Sequence, residues 1–221
     1  MAGIGNVITE IVLIMLILSG AGFMPSSGKE QNAGQSNRKV YTSIEEGLAE
    51  PDSVYVLNLT AKNISVIPAE LANFRNLEKL VLDENNIDTI PDYFFDLINL
   101  QELYFSKNLI TEISDSICKL RKLRVLYLGR NKIKDVSDSL FNLENIVDLV
   151  LSQNRIKRIP DNIGNMKSLV NLYLSDNRLK SLPDSLKKLP NLKNLYLFGN
   201  RFDEAETDRI KSLLPNVQIV W

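Results

Sequence analysis

The sequence predicts an α/β fold: a curved solenoid with a parallel β-sheet on its concave face and short helices or 3-10 turns on its convex face. Three observations predict it. A unit of 23 residues repeats without insertions, each unit contains one strand-like pair of leucines, and an asparagine returns at a fixed place in the unit. Self-similarity at such a period is typical of repeat architectures, in which each unit contacts only its neighbours.

The repeat follows the pattern LxxLxLxxNxL. It begins at Leu77, Leu100, Leu123, Ile146, Leu169 and Leu192, with a weaker copy at Val54. Leu126 and Leu128 have the period of two that places alternate side chains on opposite faces of a strand, so one unit supplies one short strand. A single strand cannot bury its leucines, so neighbouring strands must pair into a parallel sheet. The bulkier return limb then lies outside and curves the solenoid.

The asparagine of each unit is predicted to hold the turn that follows the strand. There the chain turns into the core, and its backbone N–H and C=O groups need partners. Asn is short and carries both donors and an acceptor, whereas Asp lacks the donors and Gln reaches too far. The predicted asparagine ladder consists of Asn85, Asn108, Asn131, Asn154, Asn177 and Asn200, and only the first copy departs from it.

These motifs closely resemble the leucine-rich repeat family, over residues 54 to 202. The units also carry an apolar residue at their fourteenth place, often followed by proline, as at Pro68, Pro91, Pro160 and Pro183. The segments TSIEEGLAEPDSVYVLNL and RIKSLLPNVQIVW, on either side of the repeats, are most similar to exported proteins of spirochaetes and related bacteria. The resemblance implies a leucine-rich repeat solenoid that binds partners on its concave sheet, without catalysis, and that is surface-exposed and host-interacting.

Both ends of a solenoid expose core and need caps. At the front, Thr42 or Ser43 with Glu45 or Glu46 predicts a capping box, and Ile44 and Leu48 share one face of the helix that follows. At the back, alternating apolar residues from Val217 predict a last edge strand, preceded by a helix near Thr207 to Leu214. We therefore expect an N-terminal helical cap over 41–53, seven repeats over 54–202 with the first and last atypical, and a C-terminal cap over 203–221.

The first residues predict export. Ile11 to Leu18 is an apolar run followed by Ser19, Gly20 and Ala21, small residues that suit a signal peptidase. Glu10 and the absence of Lys and Arg before the run leave an uncleaved N-terminus as the alternative. Ala21 stands where a lipid-bearing Cys would be, so no lipid attachment is expected. The prediction is a signal peptide over 1–24, a flexible linker over 25–40, and a secreted, periplasmic or cell-surface protein.

Composition excludes several classes of function. The chain contains no His and one Cys, Cys118, which excludes Ser-His and Cys-His nucleophilic sites and an internal disulfide. No enzyme activity, metal, cofactor or small-molecule substrate is expected. Residues 41–120 contain 5 Lys/Arg and 14 Asp/Glu, a balance of −9, whereas residues 121–202 contain 16 and 7, a balance of +9. No nucleic-acid binding is expected, because the acidic half would repel phosphate.

The candidate ligand-binding residues are the outward side chains of the strands. At the fifth place of the unit, and at one flanking place, the sequence carries Tyr104, Tyr127, Val150, Tyr173, Tyr196 and Phe198. Rigid tyrosines concentrate at binding surfaces, so we favour an unidentified protein partner on this face. The alternative is that tyrosine merely suits an exposed strand position, where aromatic neighbours stabilise the sheet.

A second surface predicts a different ligand. Cations recur at the tenth and twelfth places of the later units and form a basic ridge of Lys132, Lys134, Arg155, Lys157, Arg178, Lys180 and Arg201. Such a ridge would bind an anionic glycan or lipopolysaccharide through charge. Stacked like charges repel, so some counter-charge is expected, and the favoured explanation of these residues is an ordinary solvated surface.

Overall fold

The computed structural model describes residues 38–221. The predicted signal peptide, 1–24, and most of the predicted linker, 25–40, lie outside these residues. The described chain forms one sheet of nine strands in chain order, every neighbouring pair being parallel. The strands are β1 Val40–Tyr41, β2 Val56–Asn58, β3 Lys79–Val81, β4 Glu102–Tyr104, β5 Val125–Tyr127, β6 Asp148–Val150, β7 Asn171–Tyr173, β8 Asn194–Tyr196 and β9 Gln218–Val220. The predicted solenoid with a parallel sheet is confirmed.

The strand register follows the sequence repeat. Leu103 in β4 pairs with Leu126 in β5, and Leu126 pairs with Leu149 in β6. From β2 to β8 each step joins residues 23 apart, so equivalent side chains of the repeats stand beside one another. These central leucines point into the core and are fully or almost fully buried.

The return limbs are 3-10 turns between successive strands. They cover Ala69–Asn73, Asp92–Asp96, Asp115–Lys119, Asp138–Asn142, Asp161–Asn165 and Asp184–Lys188. Each is preceded by a Pro or a Ser with extended backbone angles; Ser114 and Ser137 also accept a hydrogen bond from the backbone of the turn. Apolar side chains of these turns, such as Phe94 and Phe141, pack under the leucines of the strands and close the core.

The N-terminal cap differs from the predicted one in two respects. Helix α1, Ile44–Leu48, begins at Ser43, which accepts from the backbone N–H of Glu46. The helix packs on the core at Gly47, where the ring of Phe74 leaves no room for a side chain. Leu48 is 40% exposed. The expected Ile44–Leu48 apolar face is therefore wrong for Leu48. The sequence reasoning also missed β1, which starts inside the predicted linker and buries Tyr41.

The C-terminal cap consists of helix α2, Glu204–Leu213, followed by strand β9. The helix starts earlier than the predicted Thr207, because Asp203 is its N-cap and accepts a hydrogen bond of 2.8 Å from the backbone N–H of Glu206. Ile210 and Leu214 are buried against the last coil. At the far side, the rings of Phe202 and Trp221 meet edge to face, 6.0 Å apart.

Candidate binding surface on the concave sheet

A column of outward side chains crosses the sheet at the last residue of each strand from β2 to β8. Tyr104 pairs in register with Tyr127, Tyr127 with Val150, and Val150 with Tyr173. Tyr196 follows Tyr173 on the next strand. We call this set, Tyr104, Tyr127, Val150, Tyr173 and Tyr196, the tyrosine column. The backbone repeat alone brings its members together, as the sequence predicts.

The tyrosine column is less exposed than its outward position predicts. Tyr104, Val150 and Tyr196 are only 8%, 3% and 9% exposed, and only Tyr127 and Tyr173 are half-buried. The reason is that each ring lies against its neighbour on the adjacent strand instead of standing in solvent. The accessible part of the column is therefore Tyr127 and Tyr173, which lie on the two strands on either side of buried Val150.

The first tyrosine pair stands among charges. The rings of Tyr104 and Tyr127 meet edge to face with centroids 4.9 Å apart. The Tyr104 hydroxyl donates to Glu102 over 2.9 Å, and the same carboxylate pairs with the Lys79 ammonium at 2.6 Å. That ammonium also lies 5.0 Å from the centre of the Tyr104 ring. Glu102 thus joins three side chains into one polar group.

The second tyrosine pair stands among amides. The rings of Tyr173 and Tyr196 are stacked with centroids 4.4 Å apart and planes within 4°. Beside them, the amide of Asn194 donates to the side-chain oxygen of Asn171 over 2.6 Å, and Asn171 donates to Asp148 over 2.5 Å. This chain of side-chain hydrogen bonds crosses three strands and ends on one carboxylate.

Burial changes the titration of the groups on this face. Desolvation raises the pKa of Tyr104, Tyr127 and Tyr173, so their phenols stay neutral and can donate at physiological pH. Burial also raises the pKa of Asp83 to about 6, against the opposing hydrogen bond from the Ser106 N–H. The pKa of Asp148 is raised by burial too, although Asn171 and Arg124 oppose the shift.

A strip of small residues runs beside the tyrosine column. It contains Ser106, Gly129, Ser152 and Ser175, which lie at the same place in successive units. A side chain on Gly129 would come within 3.3 Å of Val150, so this part of the sheet is low and tightly packed. The strip ends at Asp83 on one side and at half-buried Phe198 on the other. Gly129, Ser152 and Ser175 are buried, so their neighbours cover this strip.

The asparagine ladder supports this surface from below. The amide nitrogen of Asn131 donates to the backbone oxygens of Phe105 at 2.9 Å, Leu128 at 3.1 Å and Gly129 at 3.2 Å. Its side-chain oxygen accepts from the Ile110 N–H at 3.0 Å. Asn85, Asn108, Asn154 and Asn177 make equivalent bonds and are also buried, whereas Asn200, at the end, is half-buried.

A second set of asparagines was missed by the sequence reasoning. Asn76, Asn99, Asn145 and Asn191 each donate to a backbone oxygen 24 residues earlier, over 2.8 to 2.9 Å. They stand at the last place of the unit, immediately before the next repeat begins. Their recurrence at multiples of 23 was the available signal, but Lys122 and Ser168 interrupt it. These asparagines join successive coils where the strands begin.

The basic ridge lies on the flank where the chain leaves the strands. Lys134, Arg155, Lys157, Arg178, Lys180 and Arg201 are exposed, and Lys132 is half-buried. Within residues 38–221, no side chain of the ridge forms an ion pair or a hydrogen bond. The ridge therefore has no direct ion-pair partner in the part of the chain that the structure describes.

Residues 38–221 contain no cluster of Cys, Asp and Glu arranged to hold a metal ion. Over the same range, no helix has the length and apolar character needed to cross a membrane.

The repeats match known sequence families over most of the chain. The family described as "Leucine rich repeat" matches residues 52–104 and 75–133, and the one described as "Leucine-rich repeat region" matches residues 105–218. The fold and the repeated surface define a repeat scaffold, and the chain belongs to the leucine-rich repeat family. No curated protein matches it significantly in sequence.

Two solved structures share the fold. An internalin (inlF) from Listeria monocytogenes has a TM-score of 0.67 and 24% identity, over 78% of this chain and 49% of its own. The ectodomain of the Arabidopsis thaliana membrane receptor kinase GASSHO1/SCHENGEN3, in complex with CASPARIAN STRIP INTEGRITY FACTOR 2, has a TM-score of 0.68 and 23% identity, over 82% of this chain and 22% of its own. This chain thus spans half or less of either neighbour.

Proposed function

We propose that the protein is a non-catalytic scaffold that holds a protein partner against its concave sheet. The observation that carries this proposal is the tyrosine column, in which two ring pairs flank Val150 on adjacent strands. The half-buried rings of Tyr127 and Tyr173 offer apolar surface to a partner. Their neighbours already hold them in place, so they lose little conformational entropy on contact, as is typical of interface anchors.

The surroundings of the rings favour a protein over a purely apolar ligand. Neutral phenols and the amides of Asn171 and Asn194 supply donors and acceptors beside apolar area. Both solved neighbours share this fold, and the plant ectodomain is in complex with another named factor.

The proposal includes export to the cell surface or the surrounding medium. Support comes from the apolar run before Ser19 and from the fold shared with an internalin and a receptor ectodomain. Secreted material should begin near Gly22 on N-terminal sequencing. Recovery of protein that starts at Met1 from the cytoplasm would contradict export.

The decisive experiment is a double substitution in the tyrosine column. A partner is first isolated from host extracellular matrix or bacterial envelope, and its affinity is measured by calorimetry. Tyr127→Ala with Tyr173→Ala should weaken binding by about 2 kcal/mol or more, the range of interface anchors. Circular dichroism should show that the fold is kept, because the Asn131 contacts are untouched.

The matched control removes two charges from the basic ridge. Lys134→Gln with Lys157→Gln should change affinity for the same partner less than the tyrosine substitutions do. The opposite ranking in that assay would reject the tyrosine column as the binding surface.

A second candidate function rests on the unpaired basic ridge. Its cations lack ion pairs within residues 38–221, which leaves them able to bind a polyanion such as an anionic glycan or lipopolysaccharide. Retention on heparin should fall steeply with salt, since each contact replaces a bound counterion. Retention no stronger than that of a charge-matched control protein would remove this candidate.

A further inference from the structure

A polar cleft lies at the edge of the sheet where strands β5 and β6 begin. Its volume is about 350 Å³, and it is lined by Gln101, Lys122, Arg124, Asn145, Val147 and Ser168. These residues precede the strands, whereas the basic ridge follows them, so the cleft and the ridge lie on opposite edges. Two of the lining residues are cations and none is a carboxylate.

The cleft exists because the short side chain of Val147 lies beside the longer side chains of Gln101 and Arg124. Gln101, Arg124 and Val147 occupy the same place in three successive units. Their backbones are joined across the coils, since the Arg124 N–H donates to the Gln101 oxygen and the Val147 N–H to the Arg124 oxygen, both over 2.8 Å. Val147 does not fill the space next to the guanidinium. The floor of the cleft is therefore fixed by backbone hydrogen bonds.

The cationic groups of the cleft have unused donors. The Lys122 ammonium donates to the side-chain oxygen of Asn99 over 2.7 Å, which leaves two further protons. The guanidinium of Arg124 forms no hydrogen bond or ion pair with residues 38–221. Arg124 carries five N–H donors in a planar fork that suits the two oxygens of a carboxylate. The cleft thus presents the chemistry that recognises a carboxylate.

Two acidic groups lie near the cleft without lining it. Asp148 accepts a hydrogen bond from Asn171 and interacts electrostatically with Arg124. Glu144 is exposed on the same edge, next to Asn145. Neither pairs with Arg124 or Lys122 within the described chain, so the cations retain their capacity for an external acid.

We propose that this cleft binds an acidic side chain of the protein partner, an inference that rests on the proposed function of the concave sheet. Val147 and Val150 are three residues apart along one extended segment, so the cleft lies about 10 Å from the centre of the tyrosine column. An extended partner segment along β6 would place an apolar side chain on Val150. An Asp or Glu two to four residues away would then reach Arg124 and Lys122.

The experiment selects short random peptides from a display library against the full protein. Enriched peptides should share an Asp or Glu placed two to four residues from a large apolar residue. Binding of such a synthetic peptide should weaken about tenfold with Arg124→Gln, the effect of losing one charge-assisted hydrogen bond. Replacing the peptide's acid by its amide should weaken binding similarly, and the two changes together should cost little more than either.

Lys187→Gln is the matched control, because it removes one exposed charge from the 3-10 turn Asp184–Lys188, outside both candidate binding surfaces. Enriched peptides without acidic residues, or an equal effect of Lys187→Gln and Arg124→Gln, would overturn the carboxylate site and leave the proposed function standing. Failure to enrich any peptide whose binding depends on Tyr127 and Tyr173 would overturn both. Thermal unfolding of each variant shows whether a loss of binding is a loss of fold.

Discussion

The two tyrosine pairs of the concave sheet share one backbone geometry and differ in chemistry. Tyr104 and Tyr127 meet edge to face beside the Glu102 carboxylate, whereas Tyr173 and Tyr196 are stacked beside neutral amides. The difference comes from the third place of the unit. Lys79 and Glu102 occupy it near the first pair, and Asn171 and Asn194 near the second.

A sequence repeat determines where the rings lie on the sheet, but it does not determine which polar groups surround them. The strand register is identical at both pairs, so the leucines and ladder asparagines fix where the rings stand. The polar neighbours decide how the rings are oriented and which conditions affect them. The first half of the sheet depends on charges and should respond to pH and salt, while the hydrogen bond between Asn194 and Asn171 joins neutral amides and should respond to neither.

The largest expected effect comes from breaking the frame that both pairs share. Asn131→Ala should lower the free energy of unfolding by about 3 kcal/mol, because it leaves the buried Ile110 N–H without its partner and removes one of the two amide donors to the Phe105 oxygen. Asn200→Ala should cost less, since Asn200 is half-buried at the end of the ladder. Urea unfolding of both variants measures the difference. Equal losses would show that position in the solenoid does not matter.

A smaller effect, of opposite sign, is expected at Asp83. Its folded pKa of about 6 lies above the ordinary value, so the carboxyl group favours the folded state below about pH 4, and this contribution is lost as the pH rises through 6. Asp83→Asn should therefore stabilise the protein by about 2 kcal/mol at pH 7.5, because folding then buries a neutral amide instead of a charged carboxylate.

The stabilisation by Asp83→Asn should disappear near pH 4, where the carboxyl group of the original protein is already neutral. Thermal unfolding at the two pH values tests this. Asp88→Asn, at an exposed carboxylate, serves as the control. A pH-independent gain at Asp83 would contradict the role of desolvation.

The charged pair itself should contribute less. Glu102→Gln removes the ion pair with Lys79 and keeps an acceptor for the Tyr104 hydroxyl. Because both side chains are partly exposed, the expected loss is about 1 kcal/mol, and it should shrink in concentrated salt. Unfolding measured at low and high ionic strength checks this, and a salt-independent loss would assign the effect to packing.

The smallest effect is expected in the amide half of the sheet. Asn194→Ala removes one side-chain hydrogen bond from a half-buried chain of amides. The loss should stay below about 1 kcal/mol and be the same at every pH and salt concentration, because no charge is removed. A loss that varies with pH would show that Asp148, at the end of the chain, is coupled to Asn194.

Spacing alone was enough to predict the sheet, its register and the ladder position of Asn131. It could also place Tyr127 beside Tyr104, because register decides which side chains are neighbours. It could not predict that Tyr104 and Tyr196 are almost covered, since that depends on ring tilt and on contacts with the adjacent strand. Nor could it find the cleft at Arg124, which exists because Val147 is short and lies on the next coil.

The two caps could also be predicted only in part from the sequence. Ser43 and Asp203 follow local capping rules, and one of them was recognised from sequence. Gly47 and β1 depend on contacts with Phe74 and with the first full strand, which lie in other parts of the chain. Outside the repeats no periodic pattern identifies such partners.

The constant offset of 23 residues between paired strands from β2 to β8 also governs how the repeats can fold. Within the repeats, every new coil docks onto its predecessor by closing a loop of the same length, so each step has a similar entropic cost and none requires distant segments to meet. Folding can therefore start at any two adjacent coils and spread towards both ends. The slowest parts to order should be the caps, because each has one neighbouring coil to dock against.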